Sequence, residues 1–165
     1  MSEVAAKDRL YPSLLDRLTD EEPSKRSEPV EARMASMSRL RESVLQDLNW
    51  LFNATQMDVD SDEYPETAKS VLNFGLPALS GCPASSLKLV ELTRALRDML
   101  LNFEPRLIPG SVRVHAETMD EMSHNVIVFR IEGQLWSQPM PIEIYMRTDI
   151  DLESGQTRVV ESKPS

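Results

Sequence analysis

Phe103-Glu104-Pro105-Arg106-Leu107 divides the chain into two kinds of pattern. Apolar residues before it recur at three- and four-residue steps, and those after it at steps of two. Proline bars the residue before it from the α region, so Glu104 is expected to leave the helix and turn extended. In extended chain, positions i and i+2 point the same way. Glu104 and Arg106 would then project together from one edge of the molecule, steadied by the fixed φ of Pro105. Two readings fit that spacing: a rigid polar element suited to docking, or a helix stop followed by a surface ion pair worth ~0–1 kcal/mol.

On the N-terminal side of the hinge, Leu87, Val90, Leu92, Leu96, Met99, Leu100 and Phe103 mark a helix from about Ser86 to Asn102, with Ser85 or Ser86 as its cap. Such a helix spans ~25 Å. An earlier helix of about five turns is marked by Met37, Leu40, Val44, Leu45, Leu48, Leu51 and Phe52, capped by Ser36 or Ser38. Its other face carries Arg39, Glu42, Gln46, Asp47 and Asn49 and reads as solvated. The apolar stripes of the two helices are expected to pack together.

On the C-terminal side, Val112, Val114 and Ala116 alternate with Arg113 and His115, and a polar loop follows at Thr118 to Ser123. Ile127, Phe129, Ile131 and Leu135 share one face, with Gly133 between them. Ser137-Gln138-Pro139 reads as a turn into Ile142, Ile144 and Met146, opposed by Glu143, Tyr145 and Arg147. A last pair, Thr148 to Glu153 and Gln156 to Val160, is joined by Ser154-Gly155 as a two-residue hairpin loop. Helices first and strands afterwards give an α+β fold: two main amphipathic helices packed on an antiparallel sheet with a C-terminal β-hairpin.

With 165 residues and 41% hydrophobic content the chain suits one domain with a real core. We place it at residues 36–165. Residues 1–35 are read as an N-terminal docking patch, Leu10, Leu14, Leu15 and Leu18 behind Pro12, and a mobile linker from Thr19 to Arg33. A net charge of -9 and a pI near 4.8 argue against nucleic acid and against an anionic membrane surface as partners. The single cysteine, Cys82, allows no internal disulfide and fits a reducing compartment. No signal peptide is expected, and no apolar run approaches the ~20 residues of a membrane span.

Catalytic motifs are absent: there is no phosphate loop, no Gly-x-Ser-x-Gly elbow and no His-Glu-x-x-His. Asp58-x-Asp60-x-Asp62 opens like a calcium loop, but Glu63 and Lys69 stand where that loop needs Gly and Glu, so an exposed acidic loop is the better reading. His115, His124 and Cys82 make no ligand spacing, and neither metal nor cofactor is expected. Glycoside hydrolysis would need a protonated acid beside a second carboxylate. Glu104 is the obvious candidate, yet Arg106 two residues on favours its ionised form, the opposite of what a general acid needs.

Five motifs in order resemble the TssE family of type VI secretion baseplate subunits, relatives of the sheath-initiating wedge protein of contractile phages. They are Tyr11-Pro12-Ser13-Leu14-Leu15-Asp16-Arg17-Leu18; Leu40 to Val44 through Asp47 to Leu51; Tyr64-Pro65-Glu66 with Ser70 to Pro77; the hinge Phe103 to Leu107; and Arg147 to Gly155. The resemblance implies a cytoplasmic, non-enzymatic component of the baseplate docked at the inner membrane. It implies that Glu104, Pro105 and Arg106 contact the wedge formed by TssF and TssG. It also implies that the C-terminal strands, with Thr148, Ile150, Leu152, Thr157 and Val159, template the first sheath ring of TssB and TssC by strand addition. A peptidoglycan-cleaving muramidase and a regulatory adaptor on the same fold are the alternatives.

Overall fold

The computed structural model describes residues 37–57, 62–79, 88–117, 126–137 and 140–163, together with Leu14 and Leu18. Leu14 and Leu18 are helical and exposed. The rest of the expected N-terminal patch and linker lies outside the described residues, as do the serine caps Ser36, Ser85 and Ser86, Asp58, Asp60, Cys82, the loop at 118–123, His124 and the Gln138-Pro139 turn.

Two long helices flank a four-stranded antiparallel sheet of order β1-β2-β3-β4. Helix α1 covers Met37–Asn53; a single turn, α2, covers Pro65–Ala68 with its proline in the first turn; and α3 covers Leu89–Phe103. The strands are β1 Arg113–Glu117, β2 Val126–Leu135, β3 Ile142–Asp151 and β4 Thr157–Glu161. Helix α1 packs along β4 and α3 along β1, so each helix covers one outer strand. Their apolar stripes meet the inner face of the sheet in one core. Val44, Leu48, Leu51 and Phe52 come from α1, Leu96 and Leu100 from α3, and Phe129, Ile131, Leu135, Ile144, Met146 and Ile150 from the sheet. Burying side chains of this size stabilises by about 1.5–3 kcal/mol each, which is why the two-residue and three-to-four-residue periods decide the architecture.

The expected strand pair at the C-terminus differs in detail. Ile142 to Met146 and the stretch from Thr148 are one ten-residue strand, paired along its whole length with β2. The turn to β4 is also longer than two residues. Asp151 Oδ1 accepts from the backbone N–H groups of Glu153 at 2.8 Å and Ser154 at 3.2 Å, and Gly155, at φ 73°, closes the loop by donating to Asp151 O at 2.8 Å. Those two donors hold the Asp151 carboxyl below the usual carboxylate range. A side chain that satisfies a loop internally removes the need for a tight turn.

The segment after α1 is pinned by a close backbone approach. Leu76 N donates to Ala54 O and Gln56 N to Leu76 O, both at 2.8 Å, in a parallel bridge between Thr55 and Leu76. Gly75 makes this possible: its φ is 131°, and a Cβ there would stand 2.4 Å from Ala54 O. Phe74 beside it meets Phe103, the last residue of α3, edge to face at a centroid distance of 5.4 Å. Gly75→Ala is expected to cost about 3 kcal/mol through strain and displacement of the bridge, whereas Gly110→Ala, with open space around it, should leave the unfolding free energy from a urea titration unchanged within about 0.5 kcal/mol.

Candidate functional site

The hinge is a densely hydrogen-bonded polar centre. Helix α3 ends at Phe103 as the proline requires, with Glu104 at φ -117°, ψ 84° and its N–H still donating to Leu100 O. Glu104 does not project outward: it is 3% exposed. Arg106 folds back on it, donating from Nε to Glu104 Oε1 at 2.7 Å and from Nη2 to Glu104 Oε2 at 2.6 Å, while the Arg106 backbone N–H reaches the same Oε1 at 3.1 Å. This is the paired guanidinium–carboxylate geometry that makes such contacts strong. Turning the carboxylate inward is tolerable because every oxygen meets a donor.

The remaining guanidinium donors go to α1. Nη1 reaches Ser43 Oγ at 3.1 Å and Nη2 reaches Asp47 Oδ2 at 2.5 Å. Burial alone would pull the Arg106 pKa down, but the hydrogen bonds and charges of Glu104 and then Asp47 outweigh it and hold the group above its ordinary value. Beyond the charge cluster, Leu107 bridges Leu135 at the end of β2, Ile108 N donates to Gln134 O at 2.8 Å, and Trp136 N donates to Arg106 O at 2.7 Å. Gly133 leaves the room for this: a Cβ there would lie 3.2 Å from Leu107 Cδ2. Pro105 stays on the surface.

A second polar contact occupies the far flank of α1. Arg158 and Val160 face their partners Asp149 and Arg147 on β3, so the backbone groups of Thr157 and Val159 point away from the sheet. Two asparagines of α1 take them. Asn53 donates to Thr157 O at 2.8 Å and accepts from Thr157 N at 3.0 Å. Asn49 donates to Val159 O at 3.2 Å and accepts from Val159 N at 3.1 Å. The second amide hydrogens go back to their own helix, at Leu45 O and Asn49 O. Each amide thus stands in for the peptide group of an adjoining strand.

Of the residues expected to meet partners, Glu104, Pro105 and Arg106 form one site. Thr148, Ile150, Leu152, Thr157 and Val159 form another group, but all five side chains are buried. They face the core rather than solvent, because the alternation of β3 and β4 puts them on the helix-covered side. Sequence reading placed Asp47 and Asn49 on a solvated face; both are instead half-buried and bonded. The signal for them was present as polar pairs four residues apart, Ser43 with Asp47 and Asn49 with Asn53, bordering the apolar stripe. His115 is exposed, and no grouping of three His, Cys, Asp or Glu side chains fit to hold a metal occurs among the described residues.

Arg106→Ala leaves the Glu104 carboxylate buried without its partner and is expected to lower stability by about 3–5 kcal/mol, with Glu104→Gln costing less in the same urea titration. Asn49→Ala with Asn53→Ala should speed amide exchange at Thr157 and Val159 by roughly tenfold or more, leaving Arg158 and Val160 protected.

A family model described as baseplate wedge protein gp25 matches residues 38–140, which is more than half of the chain and takes in α1, the hinge and β2. No curated protein and no solved structure matches.

Proposed function

Because the chain belongs to the gp25 baseplate wedge family, of which TssE is the type VI homologue, we propose that it is the type VI baseplate subunit that joins the TssF–TssG wedge and starts the TssB–TssC sheath. The family gives a structural role in a contractile baseplate. The single observation that carries the finer reading is that the matched residues include the whole Arg106 centre. Within the proposal, Pro105 and the accessible part of Arg106 meet the wedge. Glu104 acts by holding Arg106, since its carboxylate is enclosed.

The sheath role is assigned to the C-terminal strands. Thr148, Ile150, Leu152, Thr157 and Val159 support it by building the sheet, and what β4 offers an incoming strand is backbone. At Thr157 and Val159 that strand would exchange ladder bonds for the asparagine bonds now made to α1. Such an exchange is close to balanced because each bond is worth ~0.5–1.5 kcal/mol net. The chain is read as non-catalytic: both Glu104 oxygens are already bound by the arginine, so neither is poised to give a proton. No helix among the described residues is long and apolar enough to cross a membrane. We place the protein in the cytoplasm, at the docked baseplate.

The test is co-purification and imaging. The wild-type chain is expected to co-purify with TssF and TssG, and cells lacking it should assemble few or no sheaths. A chain that passes through unbound, in cells whose sheath number is unchanged by its deletion, would overturn the reading. Release of muropeptides from peptidoglycan, lost in Glu104→Gln, would replace it with hydrolysis.

A further inference from the structure

The chain has two tryptophans, and both are exposed: Trp50 at 47% and Trp136 at 57%. Indoles are highly buried on average, so two large exposed ones in a chain with a full core call for a reason. Both stand one step from Arg106. Trp50 follows Asp47 by three positions, within a turn of α1 and on the flank that carries Ser43 and Asp47. Trp136 is joined to Arg106 by its backbone N–H, 2.7 Å from Arg106 O. The guanidinium therefore reaches toward one tryptophan-bearing element while its own carbonyl holds the other. Pro105 and the 71%-exposed Met140, whose carbonyl is bonded by Ser137 Oγ next to Trp136, extend the apolar surface.

The charge of this face is not balanced. Two carboxylates, Asp47 and Glu104, share one guanidinium, which leaves one net negative charge at the centre that the two tryptophan-bearing elements border. Aromatic faces attract cations, and tryptophan does so best. We propose that Trp50 and Trp136 are the anchoring residues of the docking face around Arg106, and that its occupant is a partner segment presenting one arginine or lysine between apolar residues. The cation would lie over the indoles and against the outer oxygen of Asp47, while its apolar neighbours cover Pro105 and Met140. This deepens the wedge-binding reading and rests on it. It also explains how a hinge whose carboxylate is enclosed can still be recognised: the partner touches the aromatic surround, and the ionic centre fixes where that surround stands.

The two tryptophans can be changed without opening the core, which Arg106 does not allow. In a titration of the full chain against purified TssF–TssG complex, Trp50→Ala and Trp136→Ala are each expected to weaken binding roughly thirtyfold or more, with urea midpoints close to wild type. Val71→Ala, an 80%-exposed apolar residue outside this face, should bind as wild type does. Raising salt should weaken the wild-type complex, as a cationic contact requires. Wild-type binding that is unaffected by either tryptophan change, or lost equally in Val71→Ala, overturns the inference alone. Binding insensitive to salt overturns the cationic occupant. No binding by the wild-type chain overturns the inference together with the function it rests on.

Discussion

The guanidinium of Arg106 is the constraint on which the arrangement of the helices depends. It joins the end of α3 to the middle of α1 by supplying donors to Glu104, Ser43 and Asp47 at once, while the carbonyl of the same residue holds the exit of β2 at Trp136 N. A lysine has the charge but carries its donors on one nitrogen, so it could not reach acceptors that the planar fork meets from Nε, Nη1 and Nη2. The proline beside it matters for the same reason. By ending α3 at Phe103 it turns the Glu104 side chain beneath the arginine rather than along the helix. Net stability from such a buried pair is often small; its stronger effect is to make any other placement of the segment costly.

Helix α1 is held on two flanks by polar groups and on its inner face by apolar ones. The arginine takes one flank, the Asn49 and Asn53 amides take the other, and Val44, Leu48, Leu51 and Phe52 lie in the core between them. The asparagine contacts also solve a problem that an open sheet presents. An unpaired edge invites pairing with any extended chain, and covering it with side-chain amides removes that risk without adding a strand. In a protein proposed to seed a polymer by strand addition, an edge closed in this way would restrain premature pairing.

Much of the fold was legible before any coordinates. The change of period at the hinge, the apolar stripes of Leu40 to Phe52 and Leu92 to Phe103, and the alternation from Val112 to Val159 each follow from the geometry of helices and strands, which local sequence states directly. The hinge was legible as well: Glu104 and Arg106 pair as their spacing implies. What the spacing misled on was direction: the pair is expected to project from an edge, and Glu104 is instead enclosed. A Glu-x-Arg pair has the same local geometry facing solvent or facing α1, and only the position of Ser43 and Asp47, about sixty residues away, turns it inward.

The sequence by itself therefore determined the elements, their order and the place where helix gives way to strand, because these depend on residues within a few positions of one another. It also carried enough ordered motif to point to the family. Only the tertiary structure decided that Glu104 is enclosed, that the two asparagines close β4 and that both tryptophans are exposed. Each of those facts depends on groups between 59 and 110 positions apart, or on exposure itself. Such contacts are set by how whole elements pack, and no local period records them.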